Sequence, residues 1–268
     1  MEENRNCYAF EKHNFNKGDL DEIIDATYVI HLKDNGRYES ILEQLNYYQP
    51  TKLVYIIINK GFKKCSKSDF IKIPSDDLID ANLQVLKHSQ KMNYNNILVL
   101  EDDFIFDPKI KEPLHKKNLI NFLNNNTNNP YVYLLGCVPM LLIPYNYYHY
   151  KPFLSGGMHS VIYNKKMIEI ILSTKQTTIS DWDEFGIWYN YKYTYYTPLC
   201  YQLFPVTENS KSWGGRNNFI ISYIKQLGPI FLHSLNMDKS IEPGYSILYI
   251  FSKLLFVLII LIIHMFIY

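Results

Sequence analysis

Short apolar runs recur along the chain at Thr27–Leu32, Leu53–Ile58, Ile97–Leu100, Tyr131–Leu135 and Met158–Tyr163. Runs of this length, rich in Val, Ile and Tyr, read as strands covered on both faces of a sheet. Helical spacing fills the intervals. Arg37 to Tyr48 puts Ile41, Leu42 and Leu45 on one side, and Asp80 to Asn93 turns Leu83 and Leu86 inward with Asp80 opening it. Lys116 to Asn129 begins as a helix and dissolves into an Asn-rich loop, and shorter helices are predicted over Lys165–Ser173 and 182–191. Turn signals at Asp34-Asn35-Gly36 and Asn59-Lys60-Gly61 close the first two strands. Strands alternating with helices predict an α/β domain whose central sheet is mostly parallel and flanked by helices.

The ends and one interior stretch break this rhythm. Residues 1–25 read as a polar lead-in, Pro139–Pro152 as an aromatic loop, and Tyr193–Leu203 as an extended segment. Residues 240–246, which hold Pro243-Gly244, read as a linker between a domain over 26–239 and a final apolar segment. From Ile247 to Tyr268 only Ser252, Lys253 and His264 interrupt that segment. As a helix it reaches about 33 Å, against a bilayer core of roughly 30 Å. A single-pass C-terminal membrane anchor is therefore expected, with Lys253 reaching back to the interface. A buried C-terminal helix is the plainer alternative, but Leu254 to Ile263 is apolar on every side. The polar start, Met1 to Asn6, carries no apolar signal segment, so the domain is expected on the cytosolic side. There the sequon Asn125-Asn126-Thr127 would go unused.

Composition narrows the classes. A chain of 268 residues with 47% hydrophobic content folds into one large domain or two small ones and is not a disordered tail. A net charge of +1 gives no basic stripe for a nucleic acid. Cys7, Cys65, Cys137 and Cys200 are widely spaced, without a C-x-x-C pair, so neither a disulfide framework nor a zinc site is expected.

The chemistry concentrates at Glu101-Asp102-Asp103, which follow the apolar run 97–100. In open α/β sheets, ligands bind at the carboxyl ends of the strands. Clustered carboxylates repel one another unless a cation or proton joins them, and hard oxygen ligands suit Mg²⁺ or Mn²⁺. Weaker signals surround this one. Arg37 follows the first turn and could meet a phosphate. Ser155-Gly156-Gly157 permits close backbone approach, and His159 beside it could touch a sugar or a metal. Asp181-Trp182-Asp183 joins carboxylates to an aromatic ring, an arrangement that suits sugar recognition and general-base work. Each has a blander reading: a surface turn, a structural histidine, a helix cap.

In this order the motifs resemble glycosyltransferase family 25, the lipopolysaccharide and collagen β-galactosyltransferase-like group, from about Tyr28 to Ser212. Tyr28-Val29-Ile30-His31-Leu32 with Arg37 looks like its opening strand and arginine. Ala81 to Glu101, with Leu86 and His88, looks like its helix leading into an acidic L-E-D-D motif, here Leu100 to Asp103. Tyr133-Leu134-Leu135-Gly136 is similar to its next strand, Gly156 to Tyr163 to its G-T-x-A-Y block, and Asp183-Glu184-Phe185 to its D-E-F segment. The resemblance implies a GT-A-like fold and inverting, metal-dependent transfer of galactose or glucose from a nucleotide sugar to a glycan, protein or lipid hydroxyl. It implies Mn²⁺ or Mg²⁺ on Asp103 and Glu101, and donor contacts from Arg37, Glu101, Asp102 and His159. Asp183 is then the candidate base, with Asp181 second. The chain departs from the pattern in its Gly-Met-His-Ser block and its C-terminal anchor. A membrane-tethered binding or assembly protein that keeps the fold without the chemistry is the alternative. A phosphoryl-transfer enzyme ranks lower, since no G-x-x-x-x-G-K-[ST] loop occurs.

Overall fold

The computed structural model describes residues 7–179, 181–183, 188–204, 228 and 230–267. Nine strands form one sheet in the order β1-β3-β2-β4-β9-β6-β10-β8-β7. The apolar runs supply its centre: β2 (Ala26–Leu32), β3 (Leu53–Asn59), β4 (Asn96–Glu101), β6 (Val132–Leu134) and β9 (Ser160–Asn164). Parallel pairing holds within β3-β2-β4 and between β6 and β10 (Lys192–Tyr195). The other five neighbouring pairs are antiparallel, so the sheet is mixed where a mostly parallel one was expected.

Alternation along each strand divides two apolar layers. One face carries Tyr28, Ile30, Ile97, Val99 and Val161 against α2 (Pro74–Lys91) and α4 (Lys165–Ser173). The opposite face carries Val29, Ile56, Leu98, Leu100 and Ile162 against α1 (Tyr38–Tyr48) and α3 (Pro113–Asn125). Both faces of the central strands are buried, which is why they read as continuous apolar runs instead of alternating ones.

The lead-in contributes more than expected. Residues Tyr8–Asn14 form β1, an edge strand antiparallel to β3. Cys7, just before it, is disulfide-bonded to Cys65, which corrects the expectation of no disulfide. Cys137 and Cys200 are free and buried, as small core residues. The helix α2 opens at Pro74, six residues before Asp80, and Asp80 lies buried inside it accepting a hydrogen bond from Tyr8. The expected aromatic loop over Pro139–Pro152 is instead a hairpin of β7 (Val138–Pro144) and β8 (His149–Gly156) at the other edge. Two short strands, β5 (Phe104–Phe106) and β11 (Cys200–Gln202), pair antiparallel outside the main sheet. A short helix, α5, covers Trp188–Tyr191, and Ser180 and 184–187 of the predicted 182–191 segment lie outside the described residues.

The last helix, α6, runs Gly244–Ile267, so the expected linker gives its final three residues to it. Its first turns are packed on the domain: Tyr245, Leu248, Tyr249 and Ser252 are buried. From Leu254 onward its large apolar side chains stand largely clear, and the helix is long and apolar enough to cross a membrane.

Candidate active site

β4 delivers Glu101 to the end of the parallel block, where Ile30 of β2 pairs beside it. On its other side the Glu101 amide donates to the His159 carbonyl at 2.9 Å, just before β9 begins. β5 then turns away to pair with β11, Phe104 opposite Gln202, so Asp102 and Asp103 occupy the turn between two strands. The topology thus brings the carboxyl ends of β2 and β4, the amino end of β9 and the Gln202 end of β11 to one acidic corner.

The three acidic residues do different things there. Asp102 is spent on local order. Its Oδ2 accepts from the Leu32 amide at 3.0 Å, from Asn35 Nδ2 and from His31 Nδ1, and its Oδ1 accepts from Arg37 at 2.6 Å. Burial alone would raise its pKa, but the His31 bond, the Arg37 charge and the Leu32 amide together hold it below the usual carboxylate range. Arg37 also reaches Asp103 Oδ2 at 3.2 Å. The turn Asp34-Asn35-Gly36 is therefore tied down by the acidic cluster itself, with Asp34 and Gly36 at positive φ.

Asp103 and Glu101 are left in excess. Burial pushes Asp103 up to about 6, with Asp102 adding repulsion and Arg37 opposing it. Glu101 is raised well above the usual carboxylate range by burial and then by Asp103, Asp183 and Asp102, against Arg37. Gln202 Nε2 donates to Asp103 Oδ2 at 3.2 Å, while Asp103 Oδ1 is buried without a hydrogen-bond partner among the described residues. A buried carboxylate oxygen in that state marks a missing proton, donor or cation.

Asp183 joins the corner from another segment. Its two carboxylate oxygens accept from the Gly157 and Met158 amides at 3.0 and 3.2 Å. Gly157 has φ +82°, a conformation that a side chain would strain. Asp181 supports this arrangement by accepting from the Asp183 amide at 3.0 Å, closing a turn where a helix start was expected. Burial and the neighbouring Asp181 raise Asp183, and the two amides and Lys192 oppose them. His159 is sealed beneath this turn. Its Nε2 donates to the Cys200 carbonyl at 3.3 Å, burial lowers its pKa to about 4, and its Nδ1 has no partner among the described residues. A Cβ on neighbouring Gly136 would collide with that same carbonyl, which explains a glycine there.

The proposed residues Arg37, Glu101, Asp102, Asp103 and Asp183 thus converge, with Asp181 behind Asp183 and His159 behind Gly157. His88 does not join them; it packs between Phe10, Tyr28 and Tyr55. Glu184 and Phe185 lie outside the described residues. Sequence reading missed Gln202 and Lys192, a buried cation whose Nζ lies 3.4 Å from Ser155 Oγ. It also missed Tyr245, whose hydroxyl meets both the amide and the carbonyl of Gln202. Only its place at the root of α6 marks Tyr245 out; nothing in the local sequence flags the other two.

Two clefts among the described residues lie away from this corner. The larger, about 400 Å³, is lined by Asp25, Asn96, Asn164 and Lys165 at the opposite end of β4. The other lies beside Tyr47 and Lys111. Neither includes a member of the acidic cluster.

No family model and no curated protein matches the chain. Among solved structures, A197 from STIV aligns with a TM-score of 0.41 and 10% identity, over 68% of this chain and 86% of its own. A glycosyltransferase involved in the glycosylation of the major capsid of PBCV-1 aligns at 0.33 and 13%, over 60% and 70%. Scores at this level carry no functional weight, so function is argued from the acidic corner.

Proposed function

We propose that this chain is an inverting glycosyltransferase that moves a hexose, galactose or glucose favoured, from a nucleotide sugar to a glycan, protein or lipid hydroxyl. The observation that carries the reading is the imbalance at the end of β4. Asp102 is consumed in ordering the β2–α1 turn, whereas Glu101 and Asp103 stay half-buried, mutually repelled and, at Asp103 Oδ1, without a partner among the described residues. Mn²⁺ or Mg²⁺ suits such a pair, because these cations take one or two carboxylates and fill their shells with water and substrate phosphates. When bound, the cation would neutralise charge on the departing nucleotide diphosphate.

The chain's own groups supply the rest. Arg37, held by Asp102 and Asp103, presents a guanidinium beside the place proposed for the diphosphate. Asp183 takes the acceptor proton, aided by a pKa already raised, and Asp181 fixes its backbone. His159 acts on the donor through the Gly156-Gly157 turn above it. The helix α6 anchors the domain to a membrane.

The test uses the full chain in detergent, Mn²⁺ and a panel of nucleotide sugars, reading thermal stabilisation and release of the nucleoside diphosphate. One donor should stabilise the protein, and Asp103→Ala should abolish that shift. Asp183→Asn should keep the shift and lose turnover by about 10²–10⁴-fold. A folded protein that no donor stabilises would sink the reading. It would favour the second one, a membrane-tethered binding or assembly protein. That alternative draws on Asp183, whose oxygens both bond to backbone amides, as in a carboxylate that only shapes a loop.

A further inference from the structure

A flexible tether would leave the domain free to tumble above the bilayer; α6 is built differently. Tyr249 hydroxyl meets the Cys137 amide at 3.3 Å, and Lys253 Nζ donates to the Tyr196 carbonyl at 2.6 Å. The same ammonium lies over the rings of Tyr150 and Tyr196, 5.2 and 5.6 Å from their centroids. Tyr196 in turn donates its amide to the Tyr148 carbonyl at 2.9 Å, in the turn of the β7–β8 hairpin. Lys253 therefore sits at the hairpin turn; Ile247, Ile250 and Phe251 are exposed before it, and the run of α6 unbroken by a polar residue begins with the next residue.

That turn has an unusual surface. Tyr145 and Tyr147 are exposed, Tyr147 by 84%, and Met140 and Phe153 stand out from the hairpin strands. Lys151 Nζ lies 6.0 Å from the Tyr145 centroid. Tyrosines with lysines at the edge of an apolar helix are the composition of a membrane–water interface, where rings lie at headgroup level and ammonium groups reach phosphates.

We infer that the β7–β8 hairpin docks on the bilayer, with Tyr145, Tyr147 and Lys151 at headgroup level and α6 inserted beside them as a rigid continuation of the domain. This rests on the membrane reading of α6 and is independent of the sugar chemistry. It fixes the height of the acidic corner. Tyr245, bonded to Gln202 and so to Asp103, is two helical turns from Lys253, about 12 Å of rise.

The experiment places an environment-sensitive fluorophore on Tyr147→Cys, on Leu258→Cys in α6 and on Tyr47→Cys. Tyr47 is exposed on α1, and the native cysteines are buried or paired, so labelling is selective. The full-length proteins are reconstituted in anionic phosphatidylserine–phosphatidylcholine vesicles carrying nitroxide quenchers at headgroup or mid-chain depth. The expected result is strong headgroup-depth quenching at 147, mid-chain quenching at 258 and none at 47. Quenching at 258 with none at 147 would overturn the docking while leaving the anchor intact. No quenching at either would overturn both. A signal change at 147 that appears only as the protein-to-lipid ratio rises would assign the surface to a second copy of the chain and overturn the docking too.

Discussion

Two charged clusters lie near the same end of the sheet, and they are built on different principles. Beside β1 and β3, Lys67 donates to Asp77, to Asn59 Oδ1 at 2.7 Å and to Tyr8, whose hydroxyl donates to Asp80 at 2.6 Å. None of these side-chain atoms lacks a partner, and the Lys67 side chain is 1% exposed. Beside β4, Arg37 faces Glu101, Asp102 and Asp103, with Asp183 close by, and one carboxylate oxygen has no partner among the described residues. Lys67 faces two carboxylates, Asp77 and Asp80, so one negative charge is in excess there too, but the hydrogen bonds of that cluster close on themselves, and such a cluster stabilises the fold. One with a larger excess of a single sign and a carboxylate oxygen without a partner among the described residues is held together by the surrounding fold and is poised for something that brings the opposite charge.

The comparison breaks most visibly at Lys67. Replacing it by Met leaves Asp77 buried without its cation, and denaturant unfolding should show a loss of about 3–5 kcal/mol with donor binding by the surviving folded protein unchanged. A loss below 1 kcal/mol would mean that the first cluster is not the structural one. At Asp103 the sign should reverse. Its folded pKa, about 6, lies above the unfolded value, so its contribution is favourable below about pH 4 and is lost as pH rises through 6. Asp103→Asn removes that loss and should stabilise the metal-free protein by about 3 kcal/mol at pH 7.5, and by no more than about 0.5 kcal/mol at pH 4. Unfolding curves at the two pH values check it, and equal effects at both would refute the excess-charge account. The smallest change is Tyr245→Phe, which removes the hydroxyl joining the root of α6 to Gln202. It should cost about 1 kcal/mol and weaken donor binding a few-fold by loosening Gln202 on Asp103. A Tyr245→Phe protein with unaltered donor affinity would separate the anchor from the acidic corner.

How much of this was legible depended on burial. β2, β3, β4, β6 and β9 announce themselves because both faces are covered, and the acidic cluster stands out because three carboxylates follow such a strand. The edges were not legible. β1 reads Tyr-Ala-Phe-Glu-Lys-His-Asn and is mostly solvated, so its apolar signal is weak. β7 and β8 carry Pro139, Pro144 and Pro152, which argue against strands unless they lie at an edge. β7 is an edge, and β10 pairs β8 only at His149 and Tyr150, so Pro152 lies beyond that ladder. Cys7 and Cys65 are 58 residues apart, and only the pairing of β1 with β3 brings them together. Likewise Gln202 reaches Asp103 only through the β5–β11 ladder, a tertiary fact without a local pattern. What the acidic residues do individually was equally hidden, because the division of labour between Asp102 and Asp103 depends on which amides and cations fold against each.

The most direct measurement is titration calorimetry of Mn²⁺ into the full chain, with and without a nucleoside diphosphate, for the native protein and Asp103→Asn. The account expects weak Mn²⁺ binding alone, at least tenfold tighter binding with the diphosphate present, and loss of both in the variant. Mn²⁺ affinity that ignores the diphosphate, or survives Asp103→Asn unchanged, would contradict it.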